Sequence, residues 1–249
     1  MSKIKELFKQ IPVAYPLWHK FRLMNNKRKE NKKQIAYQKY NIEILKDIFQ
    51  VAKSNKFPLI CAYGTLLGIV RDNQLLPWDD DMDFIILDDG NFSWDEFNNC
   101  MKANGFWIYR KYEQDNKIVE MSYKKKNVLC DVRIWDNYDV ERDVYGDYFL
   151  IDNYEYKYRD YEEYDMTVQK MIPINKIVYK QFSGIDVMIP ENSNDILEKM
   201  YGQDWKCPNP HYKPSGEKIR VKRKATYYKK PLFSRQGHSR INEKNTFIF

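Results

Sequence analysis

Nothing in this chain restricts its fold as strongly as two neighbouring blocks, Tyr63-Gly-Thr-Leu-Leu-Gly-Ile-Val-Arg71 and Leu76-Pro-Trp-Asp-Asp-Asp-Met-Asp-Phe84. From Asp81 to Phe84, acidic and apolar residues alternate. Alternate side chains of a strand share a face, so Asp81 and Asp83 point one way while Met82 and Phe84 enter a core. Two carboxylates side by side repel unless a cation sits between them. The strand therefore belongs to a sheet with one apolar face and one face that gathers charge. Just upstream, Leu59-Ile60-Cys61-Ala62 reads as a short buried strand and Gly64-Thr65 as a sharp turn opening a brief helix over 66–70. Residues 71–78 form a loop leading into a strand at Asp81–Leu87.

Asp131 is the natural third carboxylate. It lies inside the apolar run Val128-Leu129-Cys130-Asp131-Val132, where a lone carboxylate is costly to bury. An adjacent strand carrying Asp81 and Asp83, with a shared metal, offsets that cost. Hard oxygen ligands of this kind suit Mg²⁺ or Mn²⁺. Carboxylates converging on such a metal can hold nucleotide phosphates and activate an attacking hydroxyl. Gly64 lets the backbone approach a phosphate, Thr65 adds a hydroxyl, and Arg71 can clamp phosphate bidentately. The catalytic and metal candidates are thus Asp81, Asp83 and Asp131, and the phosphate-binding candidates are Gly64, Thr65 and Arg71. A calcium-loop reading fails, because the Gly and distal Glu of the EF-hand are missing at their fixed offsets.

The remaining pattern predicts a mixed α/β domain. Ile35, Ile42, Leu45, Ile48, Phe49 and Ala52 recur at helical spacing over about 32–54. Ser93 and Glu96 form a capping box for a helix stopping near Gly105. Strand-like runs follow at Phe106–Tyr112, Ile118–Lys124 and Val128–Trp135. The Tyr- and acid-rich stretch 138–170 has weak periodicity and receives no assignment. Val178–Phe182 and Ile185–Ile189 flank Ser183-Gly184 as a hairpin, and Ser193 can cap a helix Asp195–Tyr201 ending at Gly202. The expected organisation is a basic arm at 1–31, a catalytic domain at 32–210 and a basic tail at 211–249.

Charge refines this division. The chain has 249 residues and a formal charge of +7. Residues 1–56 and 206–249 each carry +10, which leaves −13 for the body between them. A uniformly basic nucleic-acid binder would not look like this. In the arm, Ile4, Leu7 and Phe8 share a helical face before Pro12 and Pro16, and Trp18 and Phe21 suit an interface with anionic lipid. The longest charge-free run, Phe57–Val70, has 14 residues, short of the roughly 20 a spanning helix needs. With no apolar secretory stretch at the N-terminus, the expectation is a cytoplasmic protein, with peripheral contact at the inner membrane face. Cys61, Cys100, Cys130 and Cys207 contain no CxxC pair and read as reduced thiols. His19, His211 and His238 lack metal-ligand spacing.

The two opening blocks closely resemble the signature of the LicD family, which includes bacterial phosphocholine transferases and fukutin-related transferases within the nucleotidyltransferase-fold superfamily. Tyr201-Gly-Gln-Asp-Trp205 after Val187-Met-Ile-Pro190 is similar to that family's C-terminal segment. The resemblance covers about 35–210. It implies a nucleotidyltransferase-like core with helices on its faces and a C-terminal extension. It also implies transfer of phosphocholine or a polyol phosphate from a CDP-activated donor to a sugar hydroxyl of a glycan. By position, Gly64 and Thr65 match the superfamily's Gly-Ser turn, Asp81 and Asp83 its metal pair and Asp131 its third carboxylate. Thr65 departs from the usual Ser. Tyr201, Gly202, Asp204 and Trp205 are read either as cap and core or as substrate contacts. Two other readings stay open. One is a nucleotidyltransferase acting on RNA or a small molecule, with the basic tail tracking phosphates and Tyr227 and Tyr228 stacking bases. The other is a non-enzymatic protein binding anionic membrane or nucleic acid through its basic ends.

Overall fold

The computed structural model describes residues 14–87, 90–114, 117–135, 147–151, 161–169, 172–174, 176–210 and 218–228. The Ile4, Leu7 and Phe8 face and the side chains of Trp18 and Phe21 lie outside the described residues. The described residues open with helix α1 (Ala14–Asn55), then strand β1 (Leu59–Cys61), a short helix α2 (Tyr63–Leu67) and a π turn at Gly68–Asp72. Next come β2 (Asp81–Leu87), α3 (Trp94–Ala103), β3 (Trp107–Gln114), β4 (Lys117–Lys125) and β5 (Val128–Trp135). β6 (Asp147–Ile151) and β7 (Tyr161–Gln169) follow, then β8 (Ile177–Phe182), β9 (Ile185–Pro190), α4 (Ser193–Tyr201), a 3₁₀ turn at Gln203–Lys206 and β10 (Lys218–Tyr228).

The protein is a mixed α/β fold. Eight strands form one sheet in the order β1-β2-β5-β4-β3-β10-β7-β6, and β8 and β9 form a separate hairpin. β2 and β5 are parallel, and the other neighbours pair antiparallel. The alternation expected in β2 is present: Met82 and Phe84 are fully buried while Asp81 and Asp83 are half-buried. With Met121, Tyr123, Cys130 and Val132 they form an apolar face. That face packs on Tyr37, Ile44, Leu45, Ile48, Phe49 and Ala52 of α1 and on Phe97 and Met101 of α3. Each fully buried aliphatic or aromatic side chain contributes about 1.5–3 kcal/mol.

Several boundaries differ from expectation. The first helix begins at Ala14 rather than near Lys32. Pro16 is tolerated because it falls in the first turn, where the backbone N–H has no helical partner. Within this helix Ile35 and Ile42 do not join the core face but are 64% and 37% exposed. The helix ends as Lys56 enters the left-handed region (φ 59°) and Phe57 N–H reaches back to the Ala52 carbonyl at 2.9 Å, a Schellman closure. Ser93 Oγ accepts from Glu96 N–H and caps α3. Ser193 is the first residue of α4 rather than its cap, which is Asn192. Ser183 and Gly184 take φ of 48° and 76°, a two-residue turn with both central residues left-handed. The stretch expected to be a tail supplies β10, which pairs with β3 on one side and β7 on the other. Among the described residues, no helix is long and apolar enough to cross a membrane.

Candidate active site

The second face of the sheet carries the charge. In the parallel pair, Asp83 lies directly opposite Asp131. On the other side of β5, Asp131 is opposite Ser122 and Arg133 is opposite Glu120. Arg110 of β3 is in turn opposite Ser122. A row of polar side chains therefore crosses four strands. Arg133 donates to Glu120 at 2.8 Å and to Asp83 at 3.2 Å, beneath the Tyr63 ring at 4.8 Å. Arg110 donates to Ser122 Oγ at 3.2 Å and to Asp131 Oδ2 at 3.4 Å. The other oxygen, Asp131 Oδ1, is buried with no hydrogen-bond partner among the described residues.

Of these groups Asp83, Asp131 and Arg133, joined by Asp81, form the floor of a cleft of about 1130 Å³. α2 and the π turn supply one wall through Tyr63, Gly64, Leu67 and Arg71, continued by Trp78 and Asp79. Tyr201 through Trp205 and Cys207–Pro210 supply another. Gly64 leaves room for the Asp79 carboxylate, which a Cβ there would push aside. Tyr63 adopts φ +46°, an unusual conformation for an aromatic residue at the edge of such a site.

Burial raises the carboxylates. It pushes Asp79 up to about 6, with Asp80 adding to the shift. It pushes Asp83 up to about 7, with Arg133 opposing the rise and Asp131 adding to it. Asp81 is held well above the ordinary carboxylate range by burial and then by Asp83 and Asp131. The Tyr37 hydroxyl, from α1, is buried with no hydrogen-bond partner among the described residues, and burial followed by Asp79 keeps its phenol protonated.

The sequence candidates occupy distinct positions. Asp81, Asp83, Asp131, Gly64 and Arg71 all line the cleft. Thr65 is buried, and its Oγ1 accepts from Asp83 N–H at 2.9 Å, so it braces β2 rather than facing the cleft. Arg71 forks onto Asp72 at 2.7 and 2.8 Å and donates to the Trp205 carbonyl at 3.4 Å. Tyr201, Gly202, Asp204 and Trp205 line the cleft; Gly202 also closes α4, and Trp205 is buried. Among the described residues, the three carboxylates with oxygens mutually within 4.8 Å are Asp79, Asp80 and Asp81. Asp83 and Asp131 instead each turn an oxygen to an arginine. The residues fit a divalent cation: an orphaned buried oxygen, Asp131 Oδ1, lies among carboxylates that burial disfavours as anions. Arg110, Ser122, Glu120, Arg133 and Asp79 were not anticipated from sequence. A charged residue inside an apolar strand, the signal that singled out Asp131, also marks Glu120 and Arg133.

The family model described as LicD/FKTN/FKRP, nucleotidyltransferase domain, matches residues 56–192. The chain belongs to the LicD family. The matched span of this LicD-family chain contains α2, β2 and β5, which carry the acidic floor. The chain is a transferase of the LicD type. It is similar to the crystal structure of ANT(2″)-Ia in complex with adenylyl-2″-tobramycin, at 12% identity and a TM-score of 0.41 over 70% of this chain and 81% of that one. No curated protein matches the chain.

Proposed function

We propose that this LicD-family protein transfers a substituted phosphate, phosphocholine or a polyol phosphate, from a CDP-linked donor to a sugar hydroxyl of a cell-surface glycan. The observation that carries this reading is the Asp83–Asp131 pair, opposed on parallel strands at the floor of an open cleft, with Asp131 Oδ1 buried and unpartnered. Asp81, Asp83 and Asp131 would hold Mg²⁺ or Mn²⁺. When bound, that cation neutralises phosphate charge and favours an in-line displacement.

The protein's own groups supply the rest. Gly64 and Arg71, on the cleft wall, hold the donor diphosphate. Arg71 must exchange part of its fork to Asp72 for phosphate oxygen. Thr65 fixes the Asp83 backbone. The acceptor hydroxyl gives its proton to the Asp131 carboxylate as its oxygen bonds to the outer phosphorus of the donor. The bond from that phosphorus to the bridging oxygen breaks, and CMP leaves with the bonding pair.

The test is CMP release from CDP-choline, CDP-ethanolamine, CDP-glycerol and CDP-ribitol in the presence of a glycan acceptor and Mg²⁺. Asp81→Ala should lower turnover by at least about a hundredfold while the circular dichroism spectrum stays that of the parent. Near-parental turnover in Asp81→Ala would sink the assignment. Release of pyrophosphate from a nucleoside triphosphate, with no CMP from any donor, would replace it with nucleotidyl transfer.

A further inference from the structure

Four large apolar side chains are exposed among the described residues, and three of them, Met24, Ile35 and Ile42, lie on α1. Their exposures are 44%, 64% and 37%. Ile35 and Ile42 follow Met24 by eleven and eighteen residues, three and five helical turns, so all three fall on one line along the helix. Each is followed four residues later by an exposed base: Arg28, Lys39 and Lys46. Lys32 is also exposed. The opposite side of the helix, with Tyr37, Ile44, Ile48 and Val51, is fully buried in the core.

The acids nearest this stripe are already occupied. Glu43 pairs with Lys126 and Asp47 with Lys125. Arg28, Lys32, Lys39 and Lys46 have no carboxylate partner among the described residues. The face is therefore an apolar line with a net positive row running beside it.

We propose that this solvent face of α1 is a docking surface for an anionic lipid bilayer. Apolar side chains enter the headgroup boundary while the flanking bases meet lipid phosphates. Charge complementarity selects this occupant. A second copy would bring like-charged rows together, and a polynucleotide would leave the three apolar side chains in water. The same helix reaches the loop that leads into β2 through Lys33–Asp80 at 3.3 Å and Gln38 to the Pro77 carbonyl at 3.0 Å. A bilayer held on α1 thus fixes the height of the cleft above the lipid. The proposal is independent of the reaction proposed above.

The experiment is sedimentation of the full chain with vesicles of phosphatidylcholine alone or mixed with phosphatidylglycerol, over a range of salt. The parent is expected to bind the mixed vesicles, to release with salt and to ignore neutral ones. Ile35→Glu/Ile42→Glu and Lys39→Glu/Lys46→Glu should each weaken binding by roughly tenfold or more. Both pairs are exposed, so the parental melting temperature should persist. Parental binding by both variants overturns the proposal. So does absence of vesicle binding together with a dimer that Ile35→Glu/Ile42→Glu dissociates in light scattering. Binding of poly(U) but not of vesicles, lost in Lys39→Glu/Lys46→Glu, overturns it as well. CMP release from soluble substrates should be unaffected by Ile35→Glu/Ile42→Glu, so a failure here leaves the reaction standing.

Discussion

At the scale of single residues, two glycines in the same short segment have different reasons to exist. A Cβ on Gly64 would meet the end of the Asp79 side chain, which can swing away. A Cβ on Gly68 would meet the Gln74 carbonyl at 2.5 Å, and that is backbone. Gly64→Ala should therefore keep stability within about 1 kcal/mol while displacing Asp79 and lowering turnover by tenfold or more. Gly68→Ala should cost about 2 kcal/mol or more in urea unfolding. The opposite ranking would mean that the α2 segment does not sit as described. Much of the acidic floor was legible at this scale, because strand alternation alone fixes a common face for Asp81 and Asp83. The partners of the arginines were not legible. Arg110 meets Asp131, and Arg133 meets Asp83, only through strand pairing across separations of 21 and 50 residues. No local pattern encodes that register. Thr65 shows the same limit: a hydroxyl beside a predicted turn gives no hint that its partner is the Asp83 backbone.

At the scale of elements, α3 illustrates how a local signal and a tertiary one combine. Ser93 stops the incoming chain and caps the helix. Phe97 then packs edge-on against Phe57 at 5.0 Å and Tyr123 at 5.6 Å, joining α3 to the end of α1 and to β4. Phe97→Ala should lower unfolding free energy by about 3–5 kcal/mol, against about 1 kcal/mol for Ser93→Ala. A Phe97→Ala loss no larger than that of Ser93→Ala would mean that this aromatic cluster is not part of the core. Short strands with clean alternation, such as β2, and the β8–β9 turn were readable because their signals are local. The first helix was read too short because Pro12, Pro16 and the polar run after Asn25 imitate a break. β7 and β10 were unreadable because their sequences are rich in charge and tyrosine with no clean alternation, and β6 because its short run Phe149-Leu150-Ile151 sits within the Tyr- and acid-rich stretch.

At the scale of the whole molecule, the acidic body has a measurable consequence. In the folded, metal-free protein Asp79 and Asp83 ionise near 6 and 7, compared with about 4 in an unfolded chain. A raised acid pKa means the fold holds the proton more tightly than the unfolded chain does. The cluster's contribution is then full below about pH 4 and is lost as pH rises through about 6 to 7. In chelator, the melting temperature of the parent should fall more steeply across that window than that of Asp83→Asn. Mg²⁺ added above pH 7 should raise the parent's melting temperature. Equal pH slopes for the two proteins would show that Asp83 titrates like a solvated carboxylate. The sheet order carries a different consequence, one of timing. In the hydrogen-bonded ladder, β6 and β7 join the rest of the sheet through β10, and β10 follows every other strand of the described residues. During synthesis the catalytic strands β2 and β5 can pair long before the sheet is whole. The β6–β7 pair must wait for β10 to leave the ribosome, with an open edge in the interval. The molecule therefore assembles its chemistry first and closes its sheet last.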